Sequence, residues 1–158
     1  NVATRLARLA ADEAQATFLA AAGLERLGQH GTGHALDPAD WLPAPSQGAI
    51  TVECRADDAA TQALIAPLDH ATTRAEVLAE RALLAQRGGN CHSAIAVLCD
   101  HADGVLAMRA ALFSPDGAER VEGEASFAAG DLAAAAALAR DLLARAPEAI
   151  TVHFGHHA

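Results

Sequence analysis

Two turn signals divide the second half of this chain into pieces that read as the strands of one antiparallel sheet. Asp103-Gly104 and Ser114-Pro115-Asp116-Gly117 separate three apolar runs, Ala94 to His101, Val105 to Phe113 and Glu119 to Phe127. Asp-Gly is a strong hairpin signal because a two-residue connection requires positive φ at both central positions. Pro-Asp-Gly punctuates the chain in the same way, with Pro presetting φ and Gly tolerating the left-handed region. Helical patterns flank the three runs. One opens with Thr73 and Glu76 at capping-box spacing and ends near Arg87, and the other runs from Asp131 to Arg145 with Leu132, Leu138, Leu142 and Leu143. Residues 70–158 therefore predict an α-β-β-β-α domain, a three-stranded antiparallel sheet covered by helices on one side.

Residues 1–69 follow a different pattern. Val2 to Ala11 reads as a short helix, Thr17 to Ala20 as a buried strand, and Ala22 to Leu27 as a second helix capped by Gly28. Gln29 to Trp41 is polar loop, in which Asp37-Pro38 could start a single helical turn. Leu42-Pro43-Ala44-Pro45-Ser46-Gln47-Gly48 is excluded from helix by its prolines and leads into a predicted strand, Ala49 to Arg55. Asp57-Asp58 then begins a helix that Pro67 ends. Short apolar strands joined to helices suggest a partial doubly wound α/β segment, with strands buried on both faces. The expected fold class is thus α/β followed by α+β, divided into 1–69 and 70–158. A helical pattern is already under way at Val2 and no methionine opens the chain, so we expect sequence upstream of Asn1.

Composition narrows the function. The net charge is -9 and no lysine is present, all 11 cations being arginine. That balance disfavours nonspecific binding to nucleic acid or to an anionic membrane. Schiff-base and P-loop lysine chemistry are excluded within this chain, and anion recognition falls to guanidinium forks and backbone N–H groups. No apolar stretch approaches the roughly 20 residues of a membrane span. Three widely spaced cysteines do not make a disulfide framework, which favours a reducing cytoplasm. Aromatic residues are only 3% of the chain, so its core must be built from Ala, Leu, Val and Ile.

Cys91 is set apart by its context. It lies in Gly88-Gly89-Asn90-Cys91-His92-Ser93, a glycine-lined turn that a bulky partner can approach, whereas Cys54 and Cys99 sit inside apolar runs and read as buried strand thiols. On its neighbours alone Cys91 reads as one more inert thiol in a tight turn. A metal site is not indicated, because no second Cys or His pair stands at zinc spacing from Cys91 and His92; His153, His156 and His157 read as a solvated tail. A thiol nucleophile paired with His92, His70 or His101 can be drawn but not placed by sequence. Arg5 and Arg26 could face one cleft and grip carboxylates with two hydrogen bonds each, although each alone reads as a surface charge.

Taken in order, these segments resemble the porphobilinogen deaminase family, also called hydroxymethylbilane synthase. Asn1-Val2-Ala3-Thr4-Arg5-Leu6 is similar to the end of the family's Arg-Gly-Asn-x-x-Thr-Arg-Leu motif, and Ala21-Ala22-Gly23-Leu24-Glu25-Arg26-Leu27-Gly28 to its Ala-x-Ala-Gly-Leu-x-Arg-Leu-Gly. Leu42 to Arg55 follows Leu-Pro-x-x-Gly-Gln-Gly-x-x-x-x-Glu-x-Arg. His70, Thr72 and Ala79-Glu80-Arg81-Ala82 precede a Gly-Gly-Cys segment, and Pro115-Asp116-Gly117 recurs in a strand turn.

The resemblance implies that Cys91 is the position carrying a dipyrromethane cofactor through a thioether, on which four porphobilinogen units are condensed to hydroxymethylbilane. It further implies Arg5 and Arg26 as carboxylate ligands, and Asn1, Gly48 and Gln47 as cleft residues. Several positions depart from the family pattern: Asn90 replaces a glycine, Ala94 a proline and Ser46 a glycine. Family members are about twice as long, and nothing in this chain matches their catalytic aspartate. The resemblance therefore implies 1–69 as remnants of the family's second and first domains and 70–158 as its cofactor-attachment domain. It also implies no catalytic residue here, no turnover alone, no cofactor on Cys91 in the isolated chain, and the N-terminal half and porphobilinogen-derived molecules as partners. The competing reading is an independent ligand-binding or interaction module without catalysis.

Overall fold

The structure is a computed structural model that describes residues 1–86 and 93–154. It divides into two compact units, residues 1–37 and 38–158. The first unit contains α1 (Val2–Ala10) and α2 (Ala21–Arg26). Asn1 caps α1, its side-chain oxygen accepting the Thr4 N–H at 2.8 Å and the Thr4 hydroxyl at 2.9 Å. As its sequence suggests, α2 ends on Gly28, at φ 68°, with Gly28 N–H bonded to Glu25 and Gln29 N–H to Leu24. Those two bonds form a Schellman cap. No residue of this unit is buried, and Phe18 is 66% exposed.

The second unit holds the core. α3 (Ala59–Ile65) is capped by Asp58, whose carboxyl lies below the usual range because the Thr61 N–H and hydroxyl stabilise its charged form. A single 3-10 turn, Ala66–Leu68, accommodates Pro67 and leads to α4 (Ala71–Leu84). The strands are β1 (Ile95–Ala102), β2 (Val105–Phe113) and β3 (Arg120–Ala128), antiparallel in the order β1-β2-β3. They are followed by α5 (Leu132–Arg145) and α6 (Glu148–Thr151). The α-β-β-β-α architecture expected for the C-terminal domain is therefore present.

Both strand connections obey their local chemistry. Asp103 and Gly104 have φ of 50° and 78°, as a primed hairpin turn demands, and they set the register from Ala102 opposite Val105 to Ile95 opposite Leu112. At the second turn the buried Ser114 hydroxyl donates to Asp116 at 2.5 Å and accepts the Glu119 N–H at 2.9 Å. That hydroxyl, then the Ala118 N–H, holds the Asp116 carboxyl below the usual range.

One face of the sheet presents Val97, Cys99, Leu106, Met108, Ala110, Leu112 and Phe127 to Ala79 and Leu83 of α4 and to Ala135, Leu138, Ala139 and Leu142 of α5. Small residues let the helices approach closely, which compensates for the scarcity of aromatics. The opposite face carries Arg109, whose guanidinium holds the carbonyls of Ala39 at 3.0 Å and Pro38 at 3.5 Å.

Four details differ from the sequence reading. Thr17–Ala20 and Ala49–Arg55 form no strand among the described residues: ladder hydrogen bonds need a neighbouring strand, and Ile50 stands 92% exposed. Cys54 is accordingly only partly buried, whereas Cys99 is buried in β1. His70, not Thr73, caps α4, its Nδ1 accepting the Thr73 N–H at 3.3 Å, which releases Glu76 for another role. The tail is not wholly solvated, since Ile150 of α6 is buried completely and Phe154, beyond the helix, nearly so, while His153 is exposed. No helix among the described residues is long and apolar enough to cross a membrane.

Candidate functional site

In the first unit, Asn1 and Arg5 come together. With Thr4, Arg8, Ala14 and Thr17 they line a cavity of about 320 Å3 at the N-terminal end of α1. The Arg5 guanidinium donates to Thr17 Oγ1 at 3.3 Å, and Arg8 lies 3.8 Å from Glu13. Guanidinium, hydroxyl and amide groups with no carboxylate in the lining suit a ligand bearing carboxylates. That donor set fits the acidic side chains of a dipyrromethane. Arg26, on the last turn of α2, is exposed and is not among the lining residues.

Gln47 and Gly48 belong to the second unit and are exposed on a double turn. Gln47 N–H bonds to Ala44 O at 3.0 Å and Ala49 N–H to Ser46 O at 3.2 Å. The third position of each turn needs positive φ, which Ser46 supplies at 61° and Gly48 at 82°. Serine carries a β-carbon into that region at a cost of about 1–2 kcal/mol. Ser46 N–H, however, donates to Glu80 Oε2 at 2.6 Å, a charge-assisted bond.

Glu80 escaped the sequence reading, because a glutamate inside an Ala- and Leu-rich helix reads as a solvated charge. It is only 8% exposed. Its carboxylate also accepts the Cys99 N–H, and burial raises its pKa against the lowering by those two donors, with Glu76 and Asp100 adding repulsion. The sole signal in sequence was its place in the Ala79-Glu80-Arg81-Ala82 stretch.

These bonds form a series along the outer edge of β1. Val97 N–H goes to Pro43 O at 2.8 Å, Cys99 N–H to Glu80, and His101 N–H to Glu76 Oε1 at 3.1 Å. An edge strand that would otherwise present unpaired donors is thus closed by a loop carbonyl and two carboxylates. The Cys99 thiol beneath it is pushed up to about 12, by burial first and then by Glu80, Glu76 and Asp100. Burial thus favours the protonated thiol over the nucleophilic thiolate.

Cys91 and His92 lie outside the described residues, as do His156 and His157. His70 is engaged as a helix cap and His101 lies in β1. Among the described residues no group of three or more His, Cys, Asp or Glu side chains could hold a metal ion.

Two family models match the chain. The model described as porphobilinogen deaminase, dipyromethane cofactor binding domain, matches residues 1–63, and the one described as porphobilinogen deaminase, C-terminal domain, matches residues 74–146. The chain is similar to porphobilinogen deaminase of Sphingopyxis alaskensis, with 57% identity over 151 residues, covering 95% of this chain and 47% of that protein. It is 44% identical over 149 residues to porphobilinogen deaminase of Paracoccus denitrificans, covering 93% of this chain and 48% of that protein. The chain spans about half the length of the curated relatives it matches.

Proposed function

The chain belongs to the porphobilinogen deaminase family, and from that premise we propose that it is the C-terminal portion of a cytoplasmic hydroxymethylbilane synthase, a transferase of tetrapyrrole synthesis. The observation that carries this reading is the match to both family models in order along one chain. Residues 1–69 then supply part of the cleft, and residues 70–158 form the attachment domain. Cys91 is the attachment position, since a soft thiolate there would form its C–S bond with the electrophilic methylene left when an aminomethylpyrrole loses ammonia, giving a thioether stable to hydrolysis. A dipyrromethane bound there supplies the anchored pyrrole on which porphobilinogen units are assembled.

The chain's own residues bind and orient. Arg5, with Asn1 beside it, is assigned to carboxylate binding because its guanidinium lines a cavity without acidic groups. Arg26 is assigned the same role on its motif match. Gly48 and Gln47 are assigned to the cleft, where an exposed double turn offers the side-chain amide of Gln47. Each pyrrole unit brings acetate and propionate, so several fixed donors are needed to hold a growing chain.

The 158-residue chain alone is assigned no turnover and an unmodified Cys91, the rest of the cleft being supplied by the N-terminal half. Exposure of Phe18, Leu27, Ile50 and Val52 supports a partner packing on these segments. The test is an assay with porphobilinogen, together with an intact-mass measurement. The chain should form no hydroxymethylbilane and carry no adduct on Cys91, and adding the N-terminal half should restore formation. Turnover by the chain alone, or no turnover after completion, overturns the proposal.

A further inference from the structure

Glu80 is buried without a cationic partner among the described ion pairs, and its carboxylate serves two backbone donors on different parts of the fold. One is Cys99 in β1. The other is Ser46, the residue whose positive φ turns the chain so that Gln47 and Gly48 face outward. A carboxylate has an acceptor oxygen for each donor, whereas a glutamine amide has one oxygen and would set its NH2 against the second N–H. A cheaper residue could fill this space on α4, so the cost of burying an acid calls for a role that needs both bonds.

We infer that Glu80 is a positioning residue: by accepting the Ser46 N–H it holds the left-handed backbone of Ser46 and thereby sets the orientation in which Gln47 and Gly48 are presented to a carboxylate-bearing pyrrole. The ligand half of this inference rests on the function proposed above. The turn half rests only on the hydrogen bond at 2.6 Å and the backbone of Ser46.

Three variants test it by backbone amide spectra and hydrogen exchange: Glu80→Gln, Ser46→Gly and the two combined. In Glu80→Gln, Ser46 N–H should exchange about tenfold faster or more, and the Gln47 and Gly48 resonances should move, while Leu106 and Met108 in β2 keep their protection. Glycine adopts positive φ without strain, so Ser46→Gly in the Glu80→Gln background should return Gly48 towards its position in Ser46→Gly alone. A purely structural role would not be rescued in this way. Unmoved Gln47 and Gly48 in Glu80→Gln, an unrescued double variant, or loss of protection throughout β2 each overturns the inference.

Titration with porphobilinogen separates the two halves. The wild-type Gly48 amide should shift on titration, with affinity falling several-fold in Glu80→Gln and recovering in the double variant. If porphobilinogen leaves the wild-type turn unperturbed while Glu80→Gln rearranges it, the assignment of Gln47 and Gly48 to the cleft is overturned and the hold of Glu80 on the turn stands. If porphobilinogen binds equally in all variants, the positioning role is overturned and the cleft assignment stands.

Discussion

Glu76 accepts the His101 N–H at 3.1 Å, one helical turn before Glu80 accepts the Cys99 N–H. Residues four apart lie on the same face of a helix, so α4 lays two carboxylates along alternate donors of β1. The arrangement joins α4 to its strand through carboxylates, whereas α5 combines apolar packing with a guanidinium bond from Arg145 to the Glu122 carbonyl of β3 at 3.0 Å.

Glu80 gives this arrangement a pH dependence of definite sign. Burial, the largest influence, lifts its pKa above the ordinary 4.5, with Glu76 and Asp100 facing it and adding to the rise. A raised folded-state pKa contributes stability that is complete below the unfolded value and is lost as pH rises through the folded one. Urea midpoints measured upward from pH 4 should therefore show the wild type losing ground to Glu80→Gln across the window that begins near 4.5. A constant difference between the two proteins across that window would contradict the expectation.

Gly123 of β3 lies directly beneath side chains of α5. A β-carbon there would stand 3.1 Å from Leu142 Cδ2 and from Arg145 Nη2, and 3.2 Å from Leu138 Cδ1. Leu142 is fully buried, and Arg145 is held by the Glu122 carbonyl at 3.0 Å, so neither retreats freely. Gly123→Ala should destabilise the domain by about 1–3 kcal/mol through overpacking, read as a lower denaturant midpoint with unchanged slope.

What sequence made legible here was whatever is decided locally. The Asp103-Gly104 turn and the Gly28 cap follow from φ requirements and orphan carbonyls within a few residues, and each is found where its residues place it. Strand pairing is not local. Ala49 to Arg55 has strand composition, yet a strand exists only where a neighbour supplies the ladder. Glu76 was read as a capping-box partner, but its acceptor went to His101, and Glu80 looked like any helical acid until β1 and the Ser46 turn closed over it. Ile150 of α6 and Phe154 beyond it are apolar positions whose burial a reading of the tail as solvated does not include. Of the candidate site, Asn1 and Arg5 line one cavity. The role proposed for them comes only from their motif, because an arginine in isolation has no sequence signature of its task.

Thiol reactivity separates two of the cysteines. With its pKa pushed up to about 12 by burial, Cys99 holds thiolate in on the order of one molecule in 10,000 at pH 8. Alkylation of the native protein at that pH, mapped by peptide mass, should leave Cys99 unmodified until denaturant is added. Partly buried Cys54 should be modified first of the two. Labelling of Cys99 at the same rate as Cys54 would mean that the face of β1 against α4 opens readily.

Arg5 offers the most direct test of the proposed carboxylate binding. Its guanidinium contacts Thr17 and faces the open volume beside Asn1 and Arg8. Loss of one charge-assisted hydrogen-bonding group costs about 1.5–3 kcal/mol where the partner is a buried ligand anion. In the proposed enzyme, with an N-terminal half added, Arg5→Gln should therefore lower kcat/KM for porphobilinogen by about 10- to 100-fold. Arg5→Lys should recover only part of that loss, because an ammonium keeps the charge but not the planar fork. Full recovery by lysine would show that Arg5 acts as a point charge, and an unaffected Arg5→Gln would remove it from the binding cleft.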